Sequence, residues 1–330
     1  MLRVSVVIPT YNRSHLIQRA IDSALANLAP GDEVIVVDDG STDDTVAIVS
    51  AYGERVQLIH ADHHGAGPAR NLGFAAAANE LVAFLDSDDE WFPDKIPLQR
   101  QLLEAKPELI YAFTDFAVRA EDGTEHRNYL PRWMHPHKPY SEIIGPAVPY
   151  SSIAALPPAR NDFEVYIGSI YEFEMWSNLV PTFTFIVRKS GVGSSLLFSE
   201  DLPIGEDWEA FGRLARYGPV ALMNTETAWQ NGHSGPRITE TPTYLVADAW
   251  ATILERVWGK DQPFLTEHGP EYKRAVADAN ALKAGSLARH GKFGKAARAL
   301  RVAGIGGLFA LAARAGEWIA NVFSATPPPA

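Results

Sequence analysis

Short apolar, β-branched runs alternate with amphipathic segments along the first hundred residues. The apolar runs fall at residues 3–8, 33–37, 56–59 and 80–85, and segments with helical spacing fall at 14–27, 42–51, 67–78 and 94–105. Strands that alternate with helices predict an α/β fold with a mostly parallel sheet flanked by helices. Because such sheets bind ligands at the carboxyl ends of their strands, polar residues there are candidates for function.

The pattern changes after residue 117. Residues 117–178 are rich in Pro, Tyr, Trp and His and show little periodicity, which predicts a long irregular insertion of the kind that is often functional. A strand at about 181–187 and a helix at about 206–216 follow. From residue 243 the spacing is helical to about 323, before a Pro-rich tail of disordered composition. We therefore expect an α/β domain over residues 1–242 and a helical C-terminal region over 243–330.

Composition narrows the functional classes. The chain of 330 residues is 46% apolar, carries a net charge of −11 and contains no cysteine. The absence of cysteine excludes disulfides, thiol nucleophiles and cysteine-bound metals, and it is compatible with a cytoplasmic location. The negative charge argues against general nucleic-acid binding. The first apolar run stops at Pro9 without a small-residue cleavage site, which favours a strand over a signal peptide.

The most informative segment is residues 82–91, where an apolar run leads directly into three carboxylates, those of Asp86, Asp88 and Asp89. Like charges this close to a buried strand end are costly unless a cation or a proton neutralises them. Mg²⁺ or Mn²⁺ would suit these oxygen ligands, and both ions commonly share their coordination with substrate phosphates. The alternative is an acidic turn before an amphipathic helix that begins near Pro93.

Two further clusters follow strand ends. After the run at 33–37 come Asp38 and Asp39, which could accept a nucleobase N–H or ribose hydroxyls, and then Ser41 or Thr42, which could cap the next helix. The Gly-rich segment 63–73 carries Arg70 near the start of a helix, where an arginine can meet phosphate or a base edge. A surface arginine beside a helix-starting proline is the alternative.

Acidic and imidazole side chains also occur near the end of the α/β region. Glu206 and Asp207 begin an amphipathic helix, where they either oppose the helix dipole or supply a general base for an acceptor hydroxyl. His233 lies in a turn-rich loop after the last predicted core strand, either solvated or as a further metal ligand.

Five blocks occur in one order along residues 3–240, and together they closely resemble the family 2 glycosyltransferases with the GT-A fold. They are ValValIleProThrTyrAsnArg, ValValAspAspGlySerThrAsp, GlyAlaGlyProAlaArgAsnLeuGly, PheLeuAspSerAspAspGluTrp and GlyGluAspTrp. The resemblance implies a Rossmann-like GT-A sheet, a nucleotide-diphosphate sugar as donor, with UDP as the expected nucleotide, and Mn²⁺ or Mg²⁺. It assigns nucleotide binding to Pro9, Thr10, Tyr11, Asp39, Arg70 and Asp86, metal contacts to Asp88, Asp86 and His233, and catalysis to Asp207 with Glu206 beside it.

The mechanism that this resemblance implies is an inverting single displacement onto a hydroxyl of a glycan or lipid-linked acceptor, as in bacterial polysaccharide synthesis. Two other interpretations stay open. A nucleotidyltransferase would be expected to carry a Gly-rich phosphate loop after the first strand, where this chain has ProThrTyrAsnArg. A non-catalytic module that binds nucleotide sugars or glycans would need neither the AspSerAsp nor the GluAsp pair.

Two regions have no motif to carry over. Tyr129, Trp133 and Tyr140 in the insertion could stack on the sugar rings of an acceptor, or they could anchor the insertion to the core. Residues 279–316 contain seven Lys or Arg and no acidic residue, and the apolar run 302–323 contains Arg314 and Glu317. Charged residues make this run a poor spanning helix. It is either a basic helix on an anionic membrane or a hairpin packed on the catalytic domain.

Overall fold

A computed structural model of the chain describes residues 1–134, 137–158, 160–233 and 241–304. The strands in these residues are β1 (Val4–Thr10), β2 (Glu33–Asp38), β3 (Gln57–His60), β4 (Leu81–Phe84), β5 (Glu90–Trp91), β6 (Tyr111–Arg119), β7 (Glu125–His126), β8 (Ala147–Pro149), β9 (Glu164–Gly168), β10 (Ile186–Arg188) and β11 (Val220–Asn231). The helices are α1 (Ile17–Leu25), α2 (Thr45–Ser50), α3 (Ala66–Ala76), α4 (Lys95–Ala105), α5 (Leu130–Trp133), α6 (Tyr140–Ile143), α7 (Tyr171–Glu174), α8 (Lys189–Val192), α9 (Glu206–Leu214), α10 (Thr243–Val257), α11 (Gln262–Arg289) and α12 (Phe293–Val302).

One sheet of eleven strands runs through the described residues in the order β3-β2-β1-β4-β10-β6-β11-β9-β8, with β5 and β7 added at the side. The strands β1 to β4 are parallel to their neighbours among themselves, as the alternating pattern predicts. This arrangement brings the carboxyl ends of β1, β2 and β4 to one edge, so the polar residues that follow them lie near one another.

The parallel half of the sheet is apolar because helices cover it. All seven residues of β1 and all four of β4 are buried, and each buried Val or Ile side chain contributes roughly 1.5–3 kcal/mol to folding. Helix α3 packs on β1 through Gly73, where a Cβ atom would lie 2.3 Å from Val7 Cγ1. A side chain at residue 73 would therefore push α3, and Arg70 with it, away from the strand ends.

The second half of the sheet is mixed rather than parallel. Strand β10 lies between β4 and β6 and is antiparallel to both, whereas β6 and β11 are parallel. The predicted strand at 181–187 is wrong in its first part. Residues Thr182–Thr184 form a 3₁₀ turn, and Pro181 O accepts hydrogen bonds from both Thr184 N and Thr184 Oγ1.

The insertion 117–178 is more regular than its sequence indicates. Strand β6 continues to Arg119 and pairs with β7, while β8 and β9 pair with each other and extend the sheet beyond β11. These strands have two, three and five residues, which is too short to produce a readable alternation. The expectation of a wholly irregular segment is therefore corrected.

The helical C-terminal region is present in the described residues as α10, α11 and α12. Trp250 of α10 stacks on Trp208 of α9 with ring centroids 6.1 Å apart, in a cluster that also includes Met175 and Trp258. No helix in the described part of the chain is both long and apolar enough to span a bilayer. Most of the run 302–323, with Arg314 and Glu317, and the Pro-rich tail lie outside the described residues.

Asp115 ties the start of the insertion to β6. Its buried carboxylate accepts hydrogen bonds from Phe116 N at 2.6 Å and Leu130 N at 2.8 Å, while burial raises the pKa of Asp115 to about 6. Because this value exceeds the usual 3.8, the folded chain binds the proton more tightly than the unfolded chain. The contribution of Asp115 to stability is therefore present below about pH 4 and is lost as the pH rises through about 6.

Asp115→Asn should remove this pH dependence. We expect the free energy of unfolding of the variant, relative to wild type, to rise by up to about 3 kcal/mol between about pH 4 and pH 7. Urea titrations of both proteins at a series of pH values measure this difference. Asp122→Asn is the control, because the pKa of exposed Asp122 is lowered by hydrogen bonds from Thr124 and its effect has the opposite sign. A flat difference for Asp115→Asn would contradict the assignment.

Candidate active site

Asp39 follows β2 and organises the loop before α3. Its Oδ1 accepts from His64 N at 2.9 Å and its Oδ2 from Gly65 N at 2.8 Å, while Asp39 N donates to Thr10 O at 2.8 Å. Both oxygens of the carboxylate predicted to meet the nucleoside are thus engaged by backbone. Asp39 shapes the loop that leads to Arg70, and only its remaining lone pairs can face a ligand.

The ends of β1 and β2 also carry buried polar atoms without partners among the described residues. Thr10 is paired in register with Asp38, and neither Thr10 Oγ1 nor Asp38 Oδ1 has a hydrogen-bond partner there. Pro9 lies one residue earlier on β1, opposite Val37. Since buried polar atoms are normally satisfied, this edge fits a ligand that supplies both hydrogen-bond donors and acceptors.

Tyr11 directly follows β1 at the same edge of the sheet. Its ring is 39% exposed and its centroid is 4.1 Å from that of His63. The chain is fixed on either side, because Asn12 N donates to Ser41 Oγ and Thr42 N donates to Asn12 Oδ1, each at 2.8 Å. Ser41 therefore holds the loop after β1 and does not cap α2, which begins after Asp44 without a side-chain cap.

Arg70 connects the acidic strand end to the start of α9. Its buried guanidinium donates from Nη2 to Asp86 Oδ1 and from Nη1 to Glu206 Oε1, both at 2.8 Å. The opposing carboxylates raise the pKa of Arg70 although burial alone would lower it. Burial raises the pKa of Asp86 and of Glu206, and Arg70 opposes this effect in both. Arg70, which the sequence predicts to bind the nucleotide, thus forms a bridge between the carboxylates of Asp86 and Glu206.

Asp88 faces a different set of partners. Its Oδ2 lies 2.9 Å from His233 Nε2 and 3.9 Å from Arg13 Nε. The adjacent Asp89 is buried and accepts from Asn231 N at 3.0 Å. Burial, followed by the charges of Asp88 and Asp86, raises the pKa of Asp89 well above its usual range. The Asp-Ser-Asp-Asp segment is therefore divided, with Asp88 directed toward His233 and Asp89 toward the end of β11.

These residues fit a divalent cation only in part. Among the described residues no three His, Asp or Glu side chains form a closed metal site. Asp88 and His233, which the sequence predicts as ligands, are adjacent, while Asp86 is engaged by Arg70. Mg²⁺ and Mn²⁺ sites often use one or two protein ligands and complete their shell with substrate phosphates. An incomplete shell at Asp88 and His233 suits that type of site.

Asp207 lies in the first turn of α9, next to Glu206. Its Oδ2 accepts from Thr182 Oγ1 at 3.1 Å and from Asn178 Nδ2 at 3.3 Å. The preceding Gly205 has φ +81°, a conformation that favours glycine and turns the chain into the helix. Asp207 is only partly buried, whereas Glu206 is buried against Arg70. Of the two acids, Asp207 is therefore the more accessible to solvent.

Several of these neighbours give no signal in the sequence. Asn178 and Thr182 lie in and after the insertion, and Trp133 Nε1 donates to Asn178 O at 3.0 Å. Arg19 Nη2 donates to Asp88 O at 3.0 Å. Their contacts join segments that are distant along the chain, so no local sequence pattern predicts them.

Comparisons with known proteins show what the chain is similar to. Residues 5–155 match the family model described as Glycosyl transferase family 2. The succinoglycan biosynthesis protein ExoO of Rhizobium meliloti is 46% identical over 207 residues, 62% of this chain and 53% of that protein. The matched part of the chain spans about half or less of the length of the curated relatives. These matches support a glycosyltransferase family 2 region over residues 5–155, a little under half of the chain.

Solved structures identify the fold as GT-A. Staphylococcus aureus TarS 1–349, determined in complex with UDP-GlcNAc, superposes with a TM-score of 0.57 at 18% identity and covers 91% of each chain. The mannosyltransferase PcManGT from Pyrobaculum calidifontis, in complex with GDP-Man and Mn²⁺, gives a TM-score of 0.53 at 19% identity and covers 97% of this chain and 80% of that one. The fold predicted from the sequence is confirmed.

Proposed function

We propose that the chain is an inverting glycosyltransferase that moves a sugar from a nucleotide diphosphate to a hydroxyl of a glycan or lipid-linked acceptor. Catalysis is assigned to residues 1–242. The observation that carries this proposal is the bridge made by Arg70. It joins Asp86, at the sheet edge formed by the carboxyl ends of β1, β2 and β4, to Glu206 at the start of α9. We call this sheet edge the donor edge. The bridge thus holds Asp86, proposed for the donor side, at a fixed position relative to Glu206 and the neighbouring Asp207. A transfer between two substrates requires such fixed relative positions.

The proposed reaction is a single displacement. The acceptor hydroxyl oxygen attacks the anomeric carbon, the bond from that carbon to the diphosphate oxygen breaks, and its electron pair leaves with the diphosphate. Asp207 takes the hydroxyl proton, while Asn178 and Thr182 orient its carboxylate through their hydrogen bonds. Because attack comes from the face opposite the leaving group, the anomeric configuration inverts.

The donor side uses groups that favour negative charge and hydrogen bonding. The edge formed by Pro9, Thr10, Tyr11 and Asp39 would hold the nucleoside. Asp88 and His233 would hold Mn²⁺ or Mg²⁺, which when bound stabilises the charge that develops on the diphosphate. Arg13, within 3.9 Å of Asp88, adds a cation on the same side. TarS binds UDP-GlcNAc and PcManGT binds GDP-Man with Mn²⁺, so we favour a UDP-linked donor and include GDP donors in the test.

Release of nucleoside diphosphate tests the proposal. Purified protein, Mn²⁺ and a panel of UDP- and GDP-sugars should release diphosphate faster when polysaccharide or lipid-linked acceptors are present. The anomeric configuration of the product, read by NMR, should be opposite to that of the donor. Donor binding without release under any condition would instead favour a non-catalytic nucleotide-sugar-binding module. Release of pyrophosphate from a sugar phosphate and a nucleoside triphosphate would favour a nucleotidyltransferase.

We further propose that the acceptor lies against the insertion near Trp133. Trp133 packs edge-on to Phe116 at 5.8 Å and donates to Asn178 O, while Asn178 donates to Asp207. The partly buried Trp133 ring thus anchors the insertion to the core and also lies beside the proposed base, Asp207. Tyr140, by contrast, is buried against Tyr166, which supports an anchoring role for it and not contact with a sugar.

Trp133→Ala should raise the acceptor KM by about tenfold, because an aromatic face is lost, and leave the donor KM unchanged. Trp133→Phe keeps a ring but removes the N–H, so it should lower kcat about fivefold with little change in acceptor KM. Initial rates over a matrix of donor and acceptor concentrations separate these effects, with Tyr140→Phe as the control that leaves both constants unchanged. An unchanged acceptor KM in Trp133→Ala would remove Trp133 from the acceptor site.

A further inference from the structure

The last described part of the chain differs in charge from the rest. Residues 279–304 contain six Lys or Arg and no Asp or Glu, in a chain whose net charge is −11. The six are Lys283, Arg289, Lys292, Lys295, Arg298 and Arg301. Such a concentration of one sign makes a local positive field on an acidic protein.

Helices α11 and α12 display this charge on one side. Helix α12 packs inward through Ala296 and Ala299, which form a cluster with Ala284 and Leu287 of α11. Helices α11 and α12 thus pack against each other, while most of the run 302–323, for which the sequence left a membrane helix and a packed hairpin open, lies outside the described residues. Leu300 packs on the same cluster, whereas the basic side chains of α12, Lys295, Arg298 and Arg301, are exposed.

Four of these six cations form no ion pair within the described residues. Lys283 pairs with Asp248, and Lys292 lies 4.0 Å over the ring of Tyr244. In the part of the chain that the structure describes, Arg289, Lys295, Arg298 and Arg301 are exposed and form no ion pair. We call the surface made by Lys295, Arg298 and Arg301, with the flanking Phe293 and Val302, the α12 face.

The α12 face also exposes apolar groups. Phe293 is 70% exposed and Val302 is 63% exposed, although both are large hydrophobic side chains. They are the first and the last residue of α12, so an exposed apolar side chain lies at each end of this helix. A partner for this face must therefore offer negative charge at its surface and an apolar layer directly beneath.

We propose that the α12 face binds the surface of a membrane that contains anionic lipids. Lys295, Arg298 and Arg301 would meet lipid phosphates, and Phe293 and Val302 would enter the boundary between headgroups and acyl chains. A nucleic acid offers the same phosphates but no apolar layer, and the negative charge of the chain opposes a long polyanion. The proposal does not depend on the proposed activity.

Flotation of the full chain with lipid vesicles tests the proposal. Wild type should float with vesicles of phosphatidylcholine and phosphatidylglycerol at low salt, and less at high salt, but not with phosphatidylcholine alone. Each basic side chain near the surface contributes roughly fivefold to the partition coefficient. The triple variant Lys295→Glu, Arg298→Glu, Arg301→Glu should therefore lose at least about 100-fold in affinity for anionic vesicles.

The matched control is Lys260→Glu, Lys273→Glu, Arg274→Glu, which makes the same change in net charge at exposed positions outside the α12 face. This variant should keep most of the binding, and Phe293→Ser with Val302→Ser should weaken mainly the binding that survives high salt. Circular dichroism checks that each variant is folded. A wild type that stays at the bottom with anionic vesicles would overturn the proposal. So would equal losses in the two triple variants, or a preference for RNA over vesicles in competition.

Discussion

Asp207→Asn is expected to reduce turnover by about 10²–10⁴-fold, the range of a general base, while nucleotide-sugar affinity stays unchanged. Asparagine has the same shape as aspartate, and its oxygen can still accept the hydrogen bonds from Asn178 and Thr182. It cannot take a proton from the acceptor. The variant should therefore fold and bind donor normally but fail in the chemical step. Single-turnover measurements with saturating donor and acceptor isolate that step.

Glu209→Gln is the control for Asp207→Asn. Glu209 is an acid in the same first turn of α9, but it is buried and its partners are Ser199, Arg213 and Arg256. Turnover in Glu209→Gln should stay near that of wild type. If Glu206→Gln, rather than Asp207→Asn, abolished the chemical step while both proteins stayed folded, the base would have been assigned to the wrong carboxylate.

Asp88→Ala is expected to abolish the metal-dependent part of donor binding. In the proposed site this carboxylate and His233 are the protein ligands of the cation that also holds the diphosphate. Removing Asp88 leaves one nitrogen ligand, which is insufficient for Mg²⁺ or Mn²⁺. Titration of UDP in the presence of Mn²⁺ and in the presence of a chelator should give the same weak affinity for the variant, while wild type binds more tightly with Mn²⁺. Asp122→Ala, an exposed acid of the insertion, should behave as wild type.

The parallel half of the fold could be read from the sequence because strands β1, β2 and β4 are mostly apolar and are separated by helical segments. Strands β1 and β2 occur within a residue or two of their predicted positions, and the order of the five motifs sufficed to identify the family. The local sequence pattern could not predict the strands of the insertion, because β8 has only three residues and forms by pairing with β9.

The sequence predicts which residues belong to the site better than it predicts what each residue contacts there. Arg70 and Glu206 are 136 residues apart, and only the folded sheet brings them to 2.8 Å. Binding of phosphate or base by Arg70 stays a prediction from the sequence, but the sequence could not show that Arg70 also bridges Asp86 and Glu206. Asp39 differs in the same way, because the turn that occupies both of its oxygens belongs to residues 64 and 65. Hydrogen-bond partners distant in sequence leave no periodic signal.

The measurement that tests the central claim most directly is calorimetric titration of a nucleotide sugar into wild type, Asp88→Ala and Asp207→Asn, each with Mn²⁺ and with a chelator. The proposed separation of donor binding from proton transfer predicts that Asp207→Asn binds like wild type and responds to Mn²⁺, although it does not turn over. It predicts that Asp88→Ala loses the response to Mn²⁺. Equal loss of nucleotide-sugar affinity in both variants would contradict the assignment of Asp207 as the base, and Mn²⁺-independent binding in wild type would contradict the metal site at Asp88.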